Sequence, residues 1–357
     1  MMHLGLSLSP FGHHPAAWRQ PGATPGALDF GHVLTQVRKA EDGAFDFVLL
    51  SDAEARRPRT ELPPQTLPFE PTTLVAALAT HTKRIGFVVT AANGQHELYN
   101  LARRFASLDL ISQGRTAWNL VPSGPSSSWN EEYADVVAAL WQSWDADAFL
   151  YDKLAGRFFE PCKMHVLDHR GEHFTVRGPL NVNPSPQGRP VVAQWVTAEI
   201  LPLLAQSTEL MLVNCISQEA GRGLVTEARR LLTARGRHPS EVRWLASVVP
   251  WIGATRAQAQ ERFAQINEQS SQSSMKLAQG QDLVGTVADI ADALQESFEG
   301  GGLDGFTIMP PINPGDFNAF VDGVVPELRR RGLFRACYQG ATLRDHLSLE
   351  PSQPSAL

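Results

Sequence analysis

Strand-length apolar runs alternate with amphipathic helical stretches along most of this chain, and that alternation limits what it can fold into. The apolar runs cover residues 3–8, 45–50, 85–90, 115–121, 191–195, 209–213, 242–249 and 305–309. The helical stretches cover 28–42, a segment opening at Glu70-Pro71-Thr72, then 98–112, 131–144, 198–207, 218–235, 256–269, 284–298 and 317–331. Leu34, Val37 and Ala40 recur at helical spacing on the first, and Gly43 stands where a C′ glycine would end it. Proline just inside a helix start, as at Pro71, removes no hydrogen bond. Strands buried on both faces read as unbroken apolar runs, and several here do. Eight strands, each followed by a helix, predict an α/β fold of the (β/α)8 TIM-barrel type. No Gly-x-Gly-x-x-Gly follows any predicted strand, which argues against an open dinucleotide-binding sheet.

Residues 146–189 break the rhythm; they are rich in Pro and Gly and contain a short apparent hairpin. They read as an excursion on the barrel after the fourth βα unit, so the whole of 1–357 is expected to form a single domain. Residues 270–282 are polar and rich in Gln and Ser, and read as a loop. The net charge is -6 without a basic tract, which excludes nucleic acid and anionic membrane as expected partners. Cys162, Cys215 and Cys337 form no CxxC pair, so neither a zinc knot nor a disulfide framework is expected. The opening residues have no basic leader before an apolar run, and no run reaches the roughly 20 residues that cross a bilayer. A cytoplasmic protein is the expectation.

In such a barrel chemistry gathers at the C-terminal ends of the strands. Those ends carry Asp52, then Thr90-Ala91-Ala92-Asn93, Trp118-Asn119, Gln194-Trp195-Val196-Thr197 and Met309-Pro310-Pro311. Each alone is explained by capping or a turn, but together they read as one pocket. Its inventory is short of acids, and no Gly-x-Ser-x-Gly elbow is present, so a hydrolase triad has no support. Amides and aromatic rings suit a planar heterocycle that brings the hard chemistry itself. Trp118, Trp195 and Phe11 are expected in its apolar wall. No metal is expected. His165, His169 and His173 are spaced by four, but a turn at Arg170-Gly171 makes them a hairpin, and His13-His14 reads as a loop.

Several stretches together resemble the bacterial luciferase-like flavin monooxygenases, in the branch of nitrilotriacetate and dibenzothiophene-sulfone monooxygenases. They are Gly12-His13-His14-Pro15-Ala16-Ala17-Trp18-Arg19, Phe45-Asp46-Phe47-Val48-Leu49-Leu50-Ser51-Asp52 and Glu70-Pro71-Thr72-Thr73-Leu74. Leu101-Ala102-Arg103-Arg104-Phe105, Gly114-Arg115-Thr116-Ala117-Trp118-Asn119, Ser185-Pro186-Gln187-Gly188-Arg189-Pro190 and Arg331-Gly332-Leu333-Phe334-Arg335 follow in family order. The resemblance implies a two-component monooxygenase. Reduced flavin mononucleotide (FMN) from a separate flavin reductase would react with O2 and oxygenate a small organic substrate. By the same resemblance Asp52 and Asn119 match positions near the flavin and Asn93 falls where the family usually has a Thr beside the ring; with the strand-end residues Thr90, Gln194 and Thr197 these are the expected cofactor-binding residues, and no catalytic residue is assigned.

The chain departs from the family pattern where the phosphate is gripped. No His occurs between His96 and His165, and the Gly-Ser-Gly expected after the fifth strand is replaced by Val196-Thr197-Ala198-Glu199. A long segment before Val284 is also absent. A second reading therefore stands beside the first: a barrel that no longer binds FMN and serves as a non-catalytic partner or binding protein. A third is a deazaflavin-dependent enzyme. The stretch 72–79 is apolar almost all round, and with the family habit this predicts a homodimer or tetramer built on the early barrel helices.

Overall fold

The computed structural model describes residues 1–21, 23, 28–51, 68–214, 218–269 and 280–351. Eight parallel strands close a barrel: β1 (His3–Ser7), β2 (Phe47–Leu50), β3 (Gly86–Ala92), β4 (Thr116–Val121), β9 (Val191–Val196), β10 (Leu210–Val213), β11 (Arg243–Ile252) and β13 (Gly305–Ile308). Pairing of β10 with β11 and of β13 with β1 completes the ring. The predicted barrel is thus the observed one.

Alternation along each strand divides the core in two. Leu4, Leu6, Val48, Leu50, Phe87 and Val89 point outward, where they pack with the helices. Phe47, Leu49, Val88, Ala117, Ala193 and Leu212 point inward. The helices are α1 (Phe30–Asp42), α2 (Pro71–Thr80), α3 (Leu98–Ser112), α4 (Ser127–Leu140), α5 (Gln218–Ala234), α6 (Arg256–Glu268), α7 (Val287–Glu299), α8 (Gly315–Ala319) and α9 (Val325–Arg330). A π-helical turn, Phe320–Val324, joins the last two. At the close of α1 the left-handed residue is Ala44, with φ 58°, while Gly43 stays helical, one step from where a C′ glycine would put the turn.

Below the strands a last short helix, α10 (Leu343–His346), presses Leu343 and Leu347 into the interior and plugs the floor.

Two expectations fail. No helix spans 198–207; after β9 the chain makes a single 3-10 turn, Leu201–Leu203. Gln194, on β9, takes the backbone groups a helix would have used: its Oε1 accepts from Ala205 N at 2.8 Å, and its Nε2 donates to Leu203 O at 3.3 Å. Proline at 202 also removes one donor. The second failure is at 281–285, given to a loop and a helix, which is instead β12 (Gln281–Gly285). It pairs with Val248–Ile252, the part of β11 that overshoots the barrel rim.

The excursion lies between α4 and β9 and holds two hairpins, β5 (Phe149–Asp152) with β6 (Arg157–Phe159), and β7 (His169–Arg170) with β8 (Thr175–Val176). The second carries the turn expected near Arg170-Gly171. Glu132 of α4 pins it, accepting from the His169 ring at 2.9 Å and from the backbone of His173 and Phe174. These histidines therefore serve docking. No group of three or more potential metal ligands occurs among the described residues. Nor is any described helix long and apolar enough to cross a membrane.

Candidate functional site

Moving two residues up each strand from the inward apolar layer brings a set of polar side chains into the interior, toward the C-terminal mouth. Val88 leads to Thr90, Ala117 to Asn119 and Leu245 to Ser247. Thr307, between the outward Phe306 and Ile308, stands opposite Ser247. Asn119 Nδ2 donates to Thr90 Oγ1 at 2.8 Å, which fixes the amide plane. Asn119 Oδ1, Ser247 Oγ and Thr307 Oγ1 are buried and have no hydrogen-bond partner. A buried polar atom left in this way costs about 1–3 kcal/mol. Three of them around one barrel interior mark a place prepared for a polar ligand.

Above them sits an apolar hood. Ala16, Ala17, Val249, Trp251, Met309 and Ile312 form one buried cluster, with Phe11, Phe263 and Val284 packed against it. Gly12 makes this closure possible: a Cβ there would lie 2.3 Å from Pro311 O, and its φ is 114°. His13 and His14 donate their backbone N–H groups to Pro310 O and Pro311 O, zipping the loop after β1 to the turn after β13. The rings of both are occupied. His13 Nε2 donates to Ser7 O at 2.9 Å. His14 accepts from Ala16 N through Nδ1 and donates from Nε2 to Asn267 at 3.2 Å. Burial lowers the pKa of His14, against the opposing pull of Asn267 and Asp282, so the ring stays neutral. The loop role expected for this pair is what the geometry gives.

The expected cofactor residues separate into groups. Thr90 and Asn119 lie together in the interior. Thr197 is half-buried at the end of β9, and its carbonyl accepts from Ile200 N and Leu201 N. Asn93 is fully buried and committed elsewhere. It donates to Asn130 at 2.8 Å and accepts from Ser123 N at 2.9 Å, fastening the loops after β3 and β4 to α4. Gln194 faces outward and bonds the Leu203–Thr208 connection, including Thr208 Oγ1 at 2.5 Å. Asp52 falls outside the described residues.

The expected wall also changes. Trp118 is on the outer face of β4, bonded to Ala91 O and packed among Phe105, Tyr133 and Trp141. Trp195 does face the interior, and Phe11 joins the hood. Sequence reasoning missed Ser247, Thr307 and Trp251. The two-residue period of β11 and β13 was the signal that identifies them.

A family model described as luciferase-like monooxygenase matches residues 10–300. The chain is 32% identical to N-acetyl-S-(2-succino)cysteine monooxygenase of Bacillus subtilis (strain 168), over 97% of this chain and 96% of that protein. It is 33% identical to nitrilotriacetate monooxygenase component A of Aminobacter aminovorans, over 98% and 96% of the two. The first of these alignments runs over 425 positions against a chain of 357 residues, so the relative carries stretches that this chain lacks. Among solved structures, a riboflavin lyase with modified FMN and substrate riboflavin superposes with a TM-score of 0.83 at 26% identity, covering 97% of this chain and 95% of that one.

Proposed function

The chain belongs to the luciferase-like monooxygenases and is an oxidoreductase of that family, and from this premise we propose that it is the oxygenase of a two-component system, using reduced flavin, FMN in the first instance, and O2 to oxygenate a small organic substrate. The observation that carries the proposal is the set of unpartnered interior atoms, Asn119 Oδ1, Ser247 Oγ and Thr307 Oγ1, beneath an apolar hood. They fit the polar edge of a flavin ring, which offers both hydrogen-bond donors and acceptors. The reduced flavin, once bound, supplies the activation of O2.

The protein's own part is positional. Asn119, held by Thr90, would orient the ring, and the inward Trp195 would offer it an aromatic surface. Phe11, Trp251 and Met309 exclude water from the reacting centre, which suppresses wasteful side reactions. We assign no general base. A separate reductase, as the name "component A" of the Aminobacter aminovorans relative suggests, would deliver the reduced flavin.

The test is turnover with a flavin reductase, NADH and O2 on a panel of small amines, thioethers and sulfones. Stoichiometric oxygenation of at least one is expected. Peroxide release indifferent to every substrate would count against the reading.

A further inference from the structure

The excursion carries an apolar arm. Among the described residues β5 and β6 pair only with each other, so each leaves one strand edge unpaired. Rings run along the arm in unbroken contact. Trp144, at the base, lies 4.8 Å from Phe149 and 5.5 Å from Phe159 between ring centroids. Phe149 meets Phe158 at 5.7 Å, and Phe158 meets Tyr151 at 5.2 Å. The arm is also fixed in shape. Trp144 Nε1 donates to Leu180 O at 2.8 Å, and Asn183 Nδ2 donates to the Tyr151 hydroxyl oxygen at 3.1 Å. Asp152 Oδ1 closes the turn, accepting from Leu154 N and Ala155 N, both at 3.0 Å. A partner therefore meets a surface already ordered, which lowers the entropy lost on contact.

What the arm presents to solvent is mainly apolar. Leu154 is 102% exposed, Phe158 59%, Tyr151 55% and Leu150 39%. At roughly 150–250 Å² for a whole large side chain, these fractions leave on the order of 400–500 Å² on one short arm. That is toward the upper end for the largest apolar patch of a monomer. A lone two-stranded sheet is also marginal in water, so cover would stabilise it.

Charge points to the occupant. Residues 147–163 hold Asp147, Asp152 and Glu160 against Lys153, Arg157 and Lys163, so the arm is neutral as a whole. Arg157 is paired with Glu160, and Lys163 with Asp147, inside the arm. Such a segment has no net field to draw a nucleic acid, an anionic membrane or a strongly charged protein. A second copy meets it without like-charge repulsion. In a two-fold contact each chain offers the same patch, so two arms bury roughly 1,000 Å², the least that a specific interface needs.

We propose that two chains pair through these arms, Tyr151, Leu154 and Phe158 of one against the same residues of the other, in a weak contact that forms at high concentration. The contact uses none of the early barrel helices and does not depend on the flavin reading.

The experiment is sedimentation equilibrium of the full chain from about 5 to about 500 µM, repeated with the double variant Leu154→Asp, Phe158→Ser. Both side chains are exposed, so the variant should fold, which thermal unfolding checks. The mean mass of the unmodified chain should rise toward twice its low-concentration value across that range. The variant should need a concentration at least roughly tenfold higher for the same rise. A mass that stays flat for the unmodified chain, or an equal rise in a folded variant, would overturn the inference. Flotation with phosphatidylcholine vesicles is the companion measurement: vesicle binding with a flat mass would assign the arm to a lipid surface and overturn the pairing.

Discussion

The floor and the mouth of this barrel are lined from the same strands, yet they treat polar groups in opposite ways. At the floor two buried carboxylates each meet a guanidinium, while a third, Asp109, is held by Ser185, Gln187 and Thr116 N. Asp46 is bonded to Arg335, to the His3 ring at 2.9 Å and to Leu4 N at 2.7 Å. Glu209 takes Arg344 at 2.6 and 3.1 Å, with Arg189 at 3.3 Å. Burial alone would raise both carboxyl pKa values, but the neighbouring charges outweigh it and hold both groups ionised. At the mouth, by contrast, the Asn119 amide oxygen and the Ser247 and Thr307 hydroxyls stay unpartnered, while Glu70 and Glu97 cap helices at the rim. The floor is joined by these two buried ion pairs. The mouth withholds stabilisation that a ligand would return on binding.

The largest effect that would test this contrast is at the floor. Glu209→Ala leaves Arg344 and Arg189 buried without their counter-charge. Removing one partner of a buried pair costs about 3–5 kcal/mol. Urea unfolding should show a loss of that order, and a loss below about 1 kcal/mol would mean the floor is not the joint described.

The floor also holds a neutral group. His346 of α10 is buried against Tyr338, its ring centroids 4.7 Å away, and burial pushes its pKa down to about 4. A histidine whose folded pKa lies below its unfolded value contributes fully above about pH 6.5. That contribution is lost as pH falls through the folded value, here about 3 kcal/mol in all. Between pH 6.5 and 4 the unmodified chain should therefore lose about 3 kcal/mol relative to His346→Phe, measured by denaturant unfolding at each pH. Parallel pH profiles for the two would refute this.

How legible these two ends are in the sequence follows from where the deciding interactions lie. Helix α3 is predicted to the residue, because Glu97 caps it locally and its apolar spacing is regular. The barrel count is equally local. The helix expected over 198–207 is not, since its replacement depends on Gln194 reaching across from a strand. The site was half visible. Adjacent residues on a strand cannot share a face, so Trp118 and Asn119 could never both line one interior, nor Gln194 with Trp195. Applying that rule would have kept Asn119 and Trp195 and pointed on to Ser247 and Thr307. Nothing local identifies Asn93 as a loop fastener, because its partner Asn130 comes from another element.

A smaller effect is expected at the mouth. Asn119→Leu loses the bond to Thr90 but also removes a buried acceptor with no partner. These oppose one another, so stability should move by no more than about 1 kcal/mol. Flavin affinity should fall roughly tenfold, the worth of one hydrogen bond to the ring. Thermal unfolding and flavin titration on the same preparation separate the two. A variant that unfolds but still binds flavin normally when folded would assign Asn119 to the floor's kind of role.

The flank of the barrel provides the control for both ends, and it carries the smallest effect on the fold. Helix α2 buries Leu74, Val75 and Leu78 against the barrel, while Thr73, Ala77 and Thr80 are exposed and Ala76 is partly so. Its outward face is therefore small and weakly polar, which permits close approach of a second helix. We propose that a second copy of the chain packs there. Ala77→Arg adds a long charged side chain to that face without touching the core. An exposed substitution of this kind shifts stability by no more than about 0.5 kcal/mol. Neither the floor nor the mouth should register it, so urea unfolding and flavin affinity should match the unmodified chain. Light scattering should instead show the mass dropping to that of one chain. If the unmodified protein already scatters as a single chain at micromolar concentration, the exposed face of α2 is simply solvated.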